Sequence, residues 1–118
     1  DLSDLNFSRA NFQKSDLKGA KLSLSNFNRA DFSRARLDDV DAFRATLVEA
    51  LLIEVSLTGA KLEGVDARGA ILVESLITES QVSSLADKRI QSYPSLAAYS
   101  EEVRRSSFDL PREASSLE

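Results

Sequence analysis

From Leu2 to Ile77 every fifth residue is apolar: Leu2, Phe7, Phe12, Leu17, Leu22, Phe27, Phe32, Leu37, Ala42, Leu47, Leu52, Leu57, Leu62, Ala67, Leu72 and Ile77. These sixteen positions show no insertion and no slip. A second column lies two residues before each of the last fifteen and is mostly small, as at Ala10, Ser15, Ala20, Ala30 and Ala45. A helix would place its apolar face at a period of about 3.6 residues and a strand at about two. As one helix, the bulky column would wind around the axis; as one strand, its members would fall on opposite faces. A short repeat that fits neither period marks a solenoid, in which each unit buries its apolar residues only by stacking on its neighbours.

Units such as Ala10-Asn11-Phe12-Gln13-Lys14, Ser15-Asp16-Leu17-Lys18-Gly19 and Ala30-Asp31-Phe32-Ser33-Arg34 resemble the pentapeptide-repeat family. That family's unit is a small residue, Asp or Asn, Leu or Phe, a polar residue and a variable one. The resemblance implies an all-β solenoid, a right-handed quadrilateral β-helix with one pentapeptide per side and about twenty residues per coil. It also implies that the central Leu or Phe and the small residue point inward. About four coils are expected over residues 1–79, followed by a short C-terminal α-helical cap and tail over 80–118.

The residues support the coil length independently. Asn6-Phe7-Ser8-Arg9-Ala10 recurs twenty residues on as Asn26-Phe27-Asn28-Arg29-Ala30. Sorting the centres by side stacks like on like: Leu2, Leu22, Ala42, Leu62 on side one; Phe7, Phe27, Leu47, Ala67 on side two; Phe12, Phe32, Leu52, Leu72 on side three; Leu17, Leu37, Leu57, Ile77 on side four. Ala42 and Ala67 mark places where the interior is expected to be thin.

Composition excludes several functions. The 118 residues suit a single domain and contain neither Cys nor His. That removes disulfides, a thiolate nucleophile, the usual general base and the commonest metal ligands. Gly59, Gly64 and Gly69 recur at five, but no Lys-Ser or Lys-Thr follows, so this is repeat spacing rather than a phosphate loop. No catalytic, cofactor-binding or metal-binding residues are assigned, and no enzyme is expected. No apolar run approaches the roughly 20 residues of a membrane span. No signal peptide is visible, and a cytoplasmic location is expected. Asp1-Leu2 is already in register, which suggests a fragment with further coils upstream.

Function must then lie on the outer walls. On side one the residues before the centre, Asp1, Lys21, Asp41 and Lys61, alternate in sign and suggest a charge ladder between coils. The side-three wall begins polar (Asn11, Gln13, Asp31, Ser33) and becomes apolar at Leu51, Ile53, Ile71 and Val73. Such residues should not simply face water; either the chain's own tail covers them or they form a homodimer or partner surface. Phe43 and Leu24 make a smaller apolar spot on side one, unless Phe43 turns inward in place of Ala42. Corners are basic beside the early coils (Arg9, Lys14, Arg29, Arg34) and acidic beside the later ones (Glu49, Glu54, Glu74).

Past residue 79 the period stops. Val82, Leu85, Ala86 and Ile90 have helical spacing, and Thr78 with Gln81 has the form of a capping box. This helix should lie across the end of the stack. Pro94 suits the first turn of a second helix with Leu96, Tyr99 and Val103 on one face. Phe108-Asp109-Leu110-Pro111 reads as extended with two anchors. The second helix and those anchors are candidates to fold over side three or to pair with another chain.

The resulting expectation is a non-enzymatic protein–protein interaction scaffold, binding a protein partner or a second copy. The resemblance supplies an alternative, because some members of the family modulate DNA gyrase by mimicking duplex DNA with an acidic rod. The net charge is −4, and residues 1–50 hold eight of the nineteen acids and eight of the fifteen bases. The net negative charge disfavours direct nucleic-acid binding, and the balanced early coils disfavour a continuous acidic surface.

Overall fold

The structure, a computed structural model, describes residues 1–86, 89–95 and 97–102. The chain winds into a four-sided coil that returns to the same side every twenty residues. Parallel bridges link Asn6, Asn26, Thr46 and Asp66 on side two, and Lys21, Asp41 and Lys61 on side one. Asp16, Arg36 and Ser56 are linked in the same way on side four. On side three the rungs lengthen into three strands, β1 (Leu51–Ile53), β2 (Ile71–Val73) and β3 (Gln91–Tyr93). They pair in parallel, Leu51 with Ile71 and Ile71 with Gln91. The β-branched and aromatic residues of these strands suit a pleated, half-buried surface. Four sides of isolated bridges and short strands bring the expected quadrilateral solenoid into view.

Each corner turns by a backbone trick that the repeat supplies. Two residues past the centre, φ is positive, at 54–63° in eleven non-glycine residues and 69–73° in Gly19, Gly59, Gly64 and Gly69. In most corners the next residue's N–H then donates to the centre's carbonyl, as Ala10 does to Phe7 at 3.0 Å. Such a tight corner leaves little room inside, which suits the mostly small second column, although Val40 and Val65 are also buried there with the corner bond made. Asp and Asn before the centre have a separate job. At Asp1, Asn6, Asn11, Asp16, Asn26, Asp31, Asp41 and Asp66 the side-chain oxygen accepts the N–H two residues on, at 2.8–3.3 Å. These are Asx turns, which hold the outer backbone of a side.

The side-one charge ladder is therefore corrected. Lys21, Asp41 and Lys61 do bridge through their backbones, but the ion pairs of the described residues lie elsewhere. The Asp41 carboxylate is committed to its own turn, on the Phe43 N–H at 3.2 Å.

The interior holds one continuous core from Leu22 to Leu85. Phe7 stacks on Phe27 at 5.3 Å and Phe12 on Phe32 at 5.2 Å, with edge-on contacts between the two columns. Small apolar cavities of about 20 Å³ lie beside both alanine centres, one lined by Ala42 and the other by Ala67. Two core positions are polar. Ser75 Oγ donates to Leu52 O at 2.9 Å and accepts from Val55 N–H at 2.8 Å. Ser25 does the same between Leu2 O and Leu5 N–H. In both cases the corner one coil earlier, at Val55 or Leu5, lacks the usual backbone bond, and the hydroxyl bridges its N–H and carbonyl.

Helix α1 (Glu79–Ser84) starts at the capping box, with Gln81 N–H on Thr78 Oγ1 at 3.1 Å and Thr78 N–H on Gln81 Oε1 at 2.9 Å. It is shorter than the spacing of Val82, Leu85, Ala86 and Ile90 suggests. Leu85 is extended, with φ −65° and ψ 144°, and is buried. Rungs then resume in register: Ala86 N–H donates to Val65 O at 2.8 Å and Gln91 N–H to Ala70 O at 2.9 Å, the same step as Asn26 to Leu5 in the early coils. The open edge of the last full coil needs partners, and that need stops the helix. Leu85 and Ile90 stand in the same inward columns as Val65 and Ala70. So composition breaks near residue 79 while the hydrogen-bond register runs on to Tyr93.

Residues 97–102 are helical. Pro94 precedes this helix and does not stand in its first turn, and Ser95 Oγ accepts the Ala98 N–H at 3.1 Å. Tyr99 packs edge-on against Tyr93 at 5.2 Å. The expectations for Leu96, Val103, Phe108 and Leu110 fall outside the described residues.

Candidate interaction surfaces

The six candidate residues fall on two opposite walls, so they form two surfaces rather than one. On side one Leu24 and Phe43 are 56% and 40% exposed and adjoin across neighbouring coils, with Leu24 N–H on Phe43 O at 2.9 Å. Phe43 points outward, and Ala42 keeps the inward place. The Arg44 guanidinium lies over the Phe43 ring, 5.2 Å from its centre, a cation–π arrangement. Leu24 sits at a corner with φ 61°, which is why its side chain projects from the edge.

On side three Leu51, Ile53 and Ile71 are half-buried, whereas Val73 is completely buried. Val73 pairs in register with Tyr93, so the Tyr93–Tyr99 contact lies over the same end of the wall. Leu51, Ile53 and Ile71 remain as the accessible part.

Electrostatics knit neighbouring coils together at the corners. Arg29 Nε lies 2.9 Å from Glu49 Oε1, and Arg34 Nε lies 3.8 Å from Glu54 Oε1, each pair one coil apart. Both are exposed, and such pairs contribute little to stability. Asp31 is held below the usual carboxylate range: burial works against this, but hydrogen bonds from the Ser33 hydroxyl and N–H and from Gln13 outweigh it. Asp38 is lowered chiefly by the Ser56 hydroxyl, against a desolvation effect, with help from Thr58 N–H and the charges of Arg36 and Lys18. Both are structural carboxylates that tie one coil to the next. Among the described residues no group of three or more His, Cys, Asp or Glu could hold a metal ion, and no helix is long and apolar enough to cross a membrane.

One surface feature escaped the sequence reading. Leu76 is 88% exposed, beside a groove where the fourth coil parts from the third. Its signal was an apolar residue directly before the centre Ile77, the same signal that singled out Leu51 and Ile71.

A sealed apolar interior inside four hydrogen-bonded walls defines a β-helical solenoid, with all of its recognition chemistry on the outside. The Pentapeptide repeats family profile matches eight copies, over residues 6–41 and 35–73, and the chain belongs to the pentapeptide-repeat family, whose coil is a right-handed β-helix. A crystal structure of the pentapeptide repeat protein Rfr23 from the cyanobacterium Cyanothece 51142 is similar, with 30% identity and a TM-score of 0.61. The match covers 75% of this chain but 57% of Rfr23, so this chain spans little more than half the length of that relative. The pentapeptide repeat protein alr5209 from Nostoc Pcc 7120 shares the fold, with 24% identity, a TM-score of 0.51 and coverage of 74% and 84% of the two chains. No curated protein matches.

Proposed function

We propose that the chain is a non-enzymatic protein-binding scaffold that engages a protein partner through its walls, first through Leu24 and Phe43 on side one. The observation that carries this reading is the exposure of two large apolar side chains, adjacent across coils, on a rigid wall whose other outward residues are polar or charged. Aromatic residues with a neighbouring Arg are typical anchors of protein interfaces. The half-buried Leu51, Ile53 and Ile71 offer a second, flatter contact on side three, suited to a second copy of the chain. The interior offers no competing site, since its cavities hold about 20 Å³ each and are wholly apolar.

The gyrase-mimic alternative finds less support. Arg9, Lys14, Arg29 and Arg34 are exposed at the corners and break up the acidic surface that duplex mimicry requires. A supercoiling assay with added protein tests it directly.

The scaffold reading is tested with a Leu24→Ser, Phe43→Ser double variant. Its thermal midpoint should stay within a few degrees of the parent, because both side chains are solvent-facing. Partners retained by the parent in affinity capture, and then confirmed by direct binding of the purified proteins, should be lost by the variant. Unchanged direct binding would remove side one from the reading. Light scattering on a Leu51→Ser, Ile71→Ser variant tests self-association through side three in the same way.

A further inference from the structure

On side four the ladder opens after its third rung. In the coil below, Leu37 N–H donates to Ser56 O at 2.8 Å and Asp39 N–H to Thr58 O at 2.9 Å. One coil later Leu57 N–H and Gly59 N–H have no backbone acceptor among the described residues, and Val55 O receives no backbone N–H. The cause is local. Thr78 caps α1 and draws residues 76–78 away from the rung position. The Gln81 side chain covers only the far end of the gap, donating to Leu57 O at 2.9 Å and Ala60 O at 3.1 Å.

What remains is an open groove of about 360 Å³. Its floor is the unpaired edge of residues 55–58, one wall is the exposed Leu76, and its rim carries Glu54 and Glu74. No basic residue lines it. Glu54 shares Arg34 at 3.8 Å, while Glu74 takes part in none of the ion pairs described above. An unpaired strand edge is a ready template for another strand.

We propose that this groove takes an extended segment of a partner protein by strand addition, and that the segment alternates apolar residues with Lys or Arg. A guest carbonyl accepts from Leu57 N–H, and a guest N–H donates to Val55 O. Backbone pairing of this kind gives affinity, and the alternating side chains give specificity. Here an apolar guest residue packs on Leu76, and a basic one meets Glu54 and Glu74. The two carboxylates select this partner over an acidic segment and over a neutral one. The site lies apart from Leu24 and Phe43, so it stands or falls independently of the side-one reading.

The test uses the full chain labelled with nitrogen-15 and three synthetic nonapeptides that alternate Val with Lys, Ser or Glu. The Val-Lys peptide should bind at least ten-fold more tightly than the Val-Ser peptide, and the Val-Glu peptide should not bind. On binding, the Leu57 amide should shift downfield and gain protection from hydrogen exchange. Glu74→Lys and Leu76→Asp, both at exposed positions, should each weaken the Val-Lys peptide about ten-fold or more without changing the thermal midpoint, and Phe43→Ser should have no effect. Equal binding of all three peptides, or of none, overturns the proposal. So does protection of Leu57 in the free monomer, which would mean the chain fills its own groove. Protection that grows with protein concentration alone overturns it too, because a second copy would then be the occupant.

Discussion

Ser75 shows how closely single side chains follow the needs of the coil. The Val55 N–H does not meet the Leu52 carbonyl directly, and the Ser75 hydroxyl stands between them. Removing that hydroxyl strands a donor and an acceptor in a dry interior. Ser75→Ala should therefore cost about 1–3 kcal/mol, read as a lower midpoint in urea with an unchanged slope. Ser15 occupies the same column, but among the described residues its hydroxyl bridges no corner, and its own N–H meets Phe12 O at 3.1 Å. Ser15→Ala should be close to neutral, and equal losses for the two variants would refute this account. Glycine at the corners permits a similar contrast. Gly19 and Gly59 share φ 73°. A Cβ at Gly59 would collide with Asp39 Oδ1, whereas one at Gly19 meets nothing within 4 Å. Gly19→Ala should cost roughly 1 kcal/mol from its left-handed backbone alone. Gly59→Ala should cost measurably more, by the work of moving the Asp39 carboxylate.

Among the elements, the regular coils were legible because each side repeats one solution. The bulky column, the small column and the Asp or Asn before the centre are all visible in the letters. The last turn of the solenoid was not. Leu85 and Ile90 fill inward columns, and Gln91–Tyr93 completes the side-three sheet, yet none sits in a small-Asx-Leu unit. Of Val82, Leu85, Ala86 and Ile90, Val82 is half-buried on the helix, Leu85 and Ile90 turn inward from rungs, and Ala86 is exposed. Spacing alone cannot separate those two routes to burial. The groove beside Leu76 was hidden for another reason: it depends on residues 76–78 leaving the ladder, a tertiary event. The thin interior, by contrast, was readable from Ala67 standing where other coils have Leu or Phe. Its cavity gives a prediction at this scale. Ala67→Val should stabilise by roughly 0.5–1 kcal/mol by filling that space, seen as a rise in thermal midpoint. A fall would mean that the neighbouring Leu47 and Leu72 cannot yield. Leu57→Ala in the same layer removes a buried side chain and should cost about 2–5 kcal/mol.

Across the whole molecule, coil-to-coil hydrogen bonds couple folding to protonation. Asp31 takes a hydrogen bond from Gln13 in the previous coil, and Asp38 takes one from Ser56 in the next. Both carboxylates sit below their usual range in the folded chain, through those bonds and their neighbours. The unfolded chain binds protons more readily at these sites, so the sign of the coupling is fixed. The stability they contribute is fully present above the unfolded carboxylate value of about 3.9, and it is lost as pH falls through their lower folded values. Above about pH 5 neither group should make the thermal midpoint vary with pH. Below about pH 4 the midpoint should fall, through these two groups together with any other carboxylate that behaves alike. An Asp31→Asn, Asp38→Asn variant separates their share. The amide introduced at position 31 keeps an oxygen to accept the Ser33 N–H, so the turn survives, but neither substituted side chain can titrate. The variant should start from a lower midpoint at neutral pH and lose less of it between about pH 4 and 2. Thermal melts of both chains across that range decide the matter: parallel acid limbs would show that the coils are not tied together through Asp31 and Asp38.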